Sequence, residues 1–263
     1  MALRSAERLK GSKLAFIDGS EGGKTIDFFF DDSTWKIRHV IANIGSWYQN
    51  KKVLISPQLV GEPAWEAKSI PVRIHKDDLN KFPLANEAKP ISRQYDSNYF
   101  DYSGKPYYWD LYGAEVAGYY PDDLLCPPQE LEESKGAGRA SKFDPHLRSA
   151  KEVTGYLIQS PNGKFGNVED FLFEWESWSI RYLVINTINF WPSKKVLISP
   201  DWVKCIHWPD RIVQVNLPEK TIKAAPRYDG ENPPSRNYES RLYNYYGKDY
   251  YWDEPEHSKQ SAA

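Results

Sequence analysis

The sequence has only two cysteines and one methionine in 263 residues. That is too little cysteine for a disulfide framework or a cysteine-built metal site. No apolar run approaches 18 residues, and no apolar segment follows the N-terminus. Neither a membrane span nor a signal peptide is therefore predicted, and a soluble cytoplasmic protein is expected. Catalytic signatures are also missing: there is no G-x-S-x-G elbow, phosphate loop, H-E-x-x-H or Cys/His cluster. Charge of one sign is not in excess either. Residues 1–110 carry 16 basic and 14 acidic groups, residues 111–146 carry 3 and 7, and residues 147–263 carry 15 and 15. This balance weighs against nucleic-acid binding through an overall field. What is abundant is aromatic: 10 Trp, 18 Tyr and 11 Phe within a 40% hydrophobic chain. Such a composition is globular and sufficient for two modest cores.

Two cores match a repeat. "KKVLISP" occurs at Lys51–Pro57 and again at Lys194–Pro200, 143 positions on. The same shift maps "SRQYDS" at Ser92 onto "SRNYES" at Ser235, and "YYWD" at Tyr107 onto Tyr250. Between Leu14 and Asp110 about thirty of a hundred positions are identical with no gap. Upstream, "LRSA" at Leu3 matches "LRSA" at Leu147 with a shift of 144, placing a one-residue difference ahead of Leu14. A unit of this length is a whole domain rather than a solenoid element. The chain thus divides into repeat one (1–110), an acidic, Pro- and Gly-rich linker (111–146), repeat two (147–253) and a loose tail (254–263).

Period-two patterns dominate each copy. "TIDFFFDDSTWKIRHVIAN" reads as strand, turn, strand, with Asp31 to Thr34 as the turn. Closing Phe30 against Trp35 pairs Asp27 with Arg38, and the second copy pairs Asp170 with Arg181 by the same arithmetic. The expectation is a cross-strand ion pair that fixes register, with an interaction role as the alternative. Phe28, Phe30, Trp35 and Ile37 share the other face, as do their counterparts around Trp178. "KKVLISP" carries apolar groups on both faces and reads as an interior strand of a closed barrel. A further strand and one short helix follow, the helix starting at Pro218 in the second copy. Many short strands with frequent turns predict an all-β fold of two small tandem barrels, because closure removes exposed edges. Each copy ends in an aromatic tail, Tyr107, Tyr108 and Trp109 in the first and Tyr250, Tyr251 and Trp252 in the second. These tails would pack on their own barrel, reach the sister barrel, or dock a protein.

These motifs resemble the PRC-barrel family. The likeness rests on the glycine turn, the "W-x-I-R…VLISP" core, the V-x-V-type strand, the short helix ending in proline and the tyrosine-rich tail ending "YW". It covers roughly 205 of the 263 residues. The resemblance implies two PRC-type barrels forming a pseudo-dimer, with barrels serving as adaptor surfaces that dock proteins and carry no catalytic chemistry. The membrane helix of photosynthetic reaction-centre H subunits and the N-terminal domain of the ribosome-maturation factor have no counterpart here; soluble bacterial tandem proteins are the nearer likeness.

The leading expectation is accordingly a non-enzymatic interaction module with protein partners and no cofactor or metal. Duplication and fusion replace pairing in solution with pairing at high effective concentration. Two other readings stay open. One is a binder of a small molecule or sugar through exposed Trp and Tyr. The other is RNA-linked binding through Lys51, Lys52, Lys194 and Lys195. The five histidines, at 39, 75, 146, 207 and 257, fall where the other repeat has none. Cys205 with His207 is the one candidate metal pair, short of the three or four ligands that zinc needs.

Overall fold

A computed structural model describes residues 3–45, 51–63, 67–82, 84, 146–187 and 194–253. The first repeat's tail with Tyr107, Tyr108 and Trp109, the linker before His146, Trp191 and the segment after Asp253 lie outside them. The chain is mostly β, as expected, and forms two curled mixed sheets, one of them a half-barrel. The first half contributes β1 (Leu3–Ser5), α1 (Ala6–Leu9), β2 (Lys13–Phe16), β3 (Glu21–Asp31), β4 (Lys36–Asn43), β5 (Lys52–Ile55) and β6 (Ser69–Val72). The second contributes β7 (Leu147–Ser149), α2 (Ala150–Val153), β8 (Leu157–Ser160), β9 (Gly163–Glu174), β10 (Ile180–Asn186), β11 (Lys195–Ile198), β12 (Val203–His207) and β13 (Ile212–Val215). Two helices end it, α3 (Glu219–Ala224) and α4 (Arg236–Tyr246). Among the described residues no helix is long and apolar enough to cross a membrane.

The sheets run β5-β4-β3-β2-β6 and β11-β10-β9-β8-β13-β12, with β2 parallel to β6 and β8 parallel to β13. "KKVLISP" therefore sits at the end of each sheet rather than inside it, contrary to the expectation. Its two-faced apolar character is nevertheless used. Val53, Leu54 and Ile55 are all buried, and isolated bridges to Leu84 in one copy and Tyr228 in the other cover part of the outer edge. Partial covering of this kind blunts an edge strand without closing a ladder.

The two halves exchange strands. β1 pairs with β9 of the second repeat (Arg4↔Phe173), and β7 pairs with β3 of the first (Phe30↔Arg148). The hairpin turns also meet, since Ile37 N–H donates to Trp178 O at 2.8 Å and Ile180 N–H to Trp35 O at 2.7 Å. Between the sheets Phe28 meets Phe173 at 6.0 Å and Phe30 meets Phe171 at 5.3 Å between ring centroids. All four rings are at most 1% exposed and join one core cluster drawn from both repeats. The face predicted for Phe28, Phe30, Trp35 and Ile37 is thus the face that joins the halves.

Two further differences from expectation have physical reasons. The one-residue difference between copies lies in the β2–β3 turn, because Lys13↔Ser69 and Leu157↔Ile212 align β2 with β8 at a shift of 144. The shift returns to 143 by Gly23 and Gly166, both at positive φ against the Asn43 and Asn186 carbonyls. A Cβ at Gly166 would lie 2.3 Å from the Asn186 carbonyl oxygen, which explains the glycine. The second difference is in the helices, since one short helix per repeat was expected and α1, α2 and α4 come in addition, α4 being the longest. Ser235 Oγ accepts from Tyr238 N–H at its start, and Gly247 at φ 61 ends it. Tyr238, Leu242 and Tyr246 recur every four residues on its buried face.

Candidate docking site

The predicted Asp27–Arg38 and Asp170–Arg181 pairs do not form. Each hairpin closes further along than expected, with Phe30 facing Ile37 and Phe173 facing Ile180 in place of Trp35 and Trp178, and one irregularity in each ladder adds a further residue, so that Asp27 faces Ile41 and Asp170 faces Val184. Each arginine instead reaches a carboxylate at the turn end of its hairpin. Arg38 Nη1 lies 3.0 Å from Asp31 Oδ2, and Arg181 Nη2 lies 2.8 Å from Glu174 Oε2. Asp31 also accepts from Ser33 and Thr34 N–H, so one side chain organises both the turn and the arginine. Burial pushes the Glu174 carboxyl up, but hydrogen bonds from Ser177 and Arg181 outweigh it and leave the group below its usual range.

Freed of the arginines, Asp27 and Asp170 join the repeats. Asp27 accepts from Ser149 Oγ at 2.5 Å and Lys151 N–H at 2.9 Å, across the exchange, and from its neighbour Phe28 N–H at 2.7 Å. Asp170 reproduces the set with Ser5 Oγ at 2.5 Å, Glu7 N–H at 3.0 Å and Phe171 N–H at 2.7 Å. Ser5 and Ser149 in turn accept from Arg8 and Glu152 N–H, capping α1 and α2. Each of these carboxylates thus anchors the first turn that the other repeat inserts. Burial raises both carboxyls above their ordinary value, against the opposing pull of these hydrogen bonds.

The turns themselves have diverged. Asp32 meets His146 Nδ1 at 2.9 Å and Arg148 Nε at 2.8 Å. The matching position in the second copy is Trp175, whose ring lies 4.4 Å from Trp178, while Trp178 stacks on Phe173 at 5.4 Å. Trp35 stacks on Phe30 at 5.6 Å in the same way. Both predicted tryptophans therefore cover the joined core.

The second aromatic tail folds onto its own repeat. Tyr251 lies under the Arg181 guanidinium at 4.6 Å, and Trp252 under Arg236 at 4.1 Å. Tyr250 stacks on Trp252 at 4.7 Å with the planes 7° apart. Behind them Tyr243 packs against Tyr182 and Trp202. Glu239 is the polar centre: Tyr182 Oη donates to Oε1 at 2.9 Å, Tyr251 Oη to Oε1 at 3.0 Å, and Arg236 Nη1 sits 3.2 Å from Oε2. Glu239 and Arg236 were not among the residues expected to form a site, although the Ser235 cap and the four-residue tyrosine spacing signal a helix there. Arg181 and the tail were, and the structure brings them together. The result is a face of half-exposed Tyr250, Tyr251 and Trp252 rimmed by exposed Arg236. Amphipathic rings beside a guanidinium are the composition of protein contact surfaces.

Burial and then the Glu239 charge raise the Tyr251 hydroxyl to about 12. Glu239→Gln is expected to bring that ionisation down and to cost about 1–2 kcal/mol, because the charge-assisted bond to Arg236 is lost. Alkaline difference spectra and thermal melts check it; an unchanged tyrosine titration would contradict the assigned role.

The other predicted groups are engaged elsewhere. Lys195 Nζ lies 2.5 Å from Glu169 Oε1, and Lys194 Nζ donates to Lys223 O at 2.5 Å. Burial, then repulsion from Lys151, lowers the Lys52 ammonium from its ordinary value. Cys205 is disulfide-bonded, so its thiolate is not available as a partner for His207. Among the described residues no group of three or more His, Cys, Asp or Glu side chains is placed to hold a metal ion. Compared with known proteins, the chain matches no protein-family model and no curated protein.

Proposed function

We propose that the chain is a non-enzymatic tandem PRC-barrel protein, its two barrels paired as a pseudo-dimer that serves as an adaptor for protein partners. The observation that carries this reading is how the conspicuous carboxylates at the junction, the turns and the tail are used. Asp27 and Asp170 join the repeats, Asp31 and Glu174 brace the hairpins, and Glu239 orders the aromatic tail. Polar groups engaged in this way build a rigid scaffold. The arginine–aromatic face around Trp252 then supplies a contact surface with both apolar area and a charge. The engagement of Lys194 and Lys195 favours this reading over RNA binding.

The test is affinity capture from the native cell lysate with the tagged full-length chain and with an Arg236→Ala/Trp252→Ala variant, at low and moderate salt. A stoichiometric protein that survives moderate salt with the parent chain and is lost with the variant supports the adaptor role. Recovery of nucleic acid or a small molecule alone overturns it.

A further inference from the structure

The exchange site is chemically the same in both directions. Each inserted segment is Leu-Arg-Ser-Ala, each receiving carboxylate is an aspartate on the long strand, and each Ser hydroxyl lies 2.5 Å from it. The strand pairings match as well, Leu3–Ser5 along Leu172–Glu174 and Leu147–Ser149 along Phe29–Asp31. Nothing in these contacts records which chain a segment came from. Repeat one of one molecule and repeat two of another would satisfy the same hydrogen bonds and bury the same phenylalanines, with the connecting segment as the only part that must differ.

We propose that this site also recognises a second copy of the chain, which forms a reciprocally exchanged dimer with repeat one of each copy seated on repeat two of the other. The contacts in the monomer and the dimer are alike, so the balance is set by protein concentration against the effective concentration that the connecting segment provides. Once formed, either species interconverts only by separating the inserted strands, so it is kinetically trapped under native conditions. The proposal stands on the exchange geometry and does not depend on the adaptor role.

The test uses two full-length preparations that each carry a protease site at Gly136–Gly138. One has a tag ahead of repeat one and the other a different tag after repeat two. They are mixed in denaturant and refolded together at low and high protein concentration; high-level co-expression replaces refolding if protein is lost. The expected result is a dual-tagged species of twice the 30.5 kDa chain mass by light scattering, with a share that rises with concentration. Mixing the native proteins should not form it. After cleavage in the presence of reductant, which opens the Cys205 disulfide, the dimer should fall to single-chain mass while repeat one with the first tag stays bound to repeat two with the second. A dual-tagged species that keeps its doubled mass after cleavage would mean a different interface. That result, or no dual-tagged species at any concentration, overturns the proposal.

Discussion

Asp170→Ala is expected to destabilise the chain by about 2–4 kcal/mol, since it strands Ser5 Oγ and the Glu7 and Phe171 N–H groups without an acceptor. Asp27→Ala should do the same at Ser149 and Lys151. Asparagine behaves differently at these positions. In both sites one carboxylate oxygen takes the two backbone N–H groups and the other takes the serine hydroxyl. An asparagine keeps the first oxygen, and its amide donates to the serine, which has a lone pair to accept it. Asp27→Asn and Asp170→Asn should therefore cost about 1 kcal/mol or less. The asparagine pair also exposes a pH dependence. The folded chain holds these two protons more tightly than the unfolded chain, because burial raises both carboxyls. Their stabilisation is complete below an ordinary aspartate pKa of about 4 and declines as pH rises through the raised folded values. The Tm of the parent chain minus that of the double asparagine variant should fall across this window and level off above it. A difference that rises with pH would contradict the assignment.

Phe30→Ala should cost about 3–5 kcal/mol, measured by denaturant or thermal unfolding, because it opens a cavity at a fully buried position. The ring stacks on Trp35 and meets Phe171 of the other repeat, so the loss loosens the junction as well as one sheet. Phe171→Ala should cost a similar amount. In the double variant the effects should fall short of the sum by roughly 0.5–1.5 kcal/mol, the coupling of an aromatic pair. Strict additivity would mean that the two rings are energetically independent despite their 5.3 Å separation.

The parts of this fold that were legible in the sequence are those with enough residues to show a period. The long hairpins alternate over many positions, and "KKVLISP" is long enough to be seen twice, so β3, β4, β5 and their counterparts were readable. Residues Leu3–Ser5 and Leu147–Ser149 are three apiece, too few for any alternation, and their identity revealed a repeat without revealing where they go. The expected ion pairs fail chiefly because the turn lies one residue further along than Asp31 to Thr34. Asp31 pairs with Lys36 and Phe30 with Ile37, a one-residue irregularity between Phe29 and Phe30 adds to the offset, and Asp31, read only as a turn former, is the carboxylate in reach of Arg38. In the aromatic face the tail and Arg181 were visible as residue types. Glu239 was not, because one glutamate in a tyrosine-rich run looks like an exposed charge until its helix is seen to point it inward.

The exchange of end segments bears on how the chain is made. Ser5 waits for Asp170, 165 positions away, and Asp27 waits for Ser149, 122 positions away. At about 5–20 residues per second, roughly 8–30 s pass between the emergence of β1 and of the strand it completes. Through that interval the nascent first repeat carries an open β3 edge and an unmatched aromatic face. Neither half can finish while the chain is still growing through β9, so maturation is a late, whole-molecule event in which such long-range pairing folds slowly. Ribosome-bound chains halted before residue 147 should therefore depend on chaperone protection that the finished protein does not require.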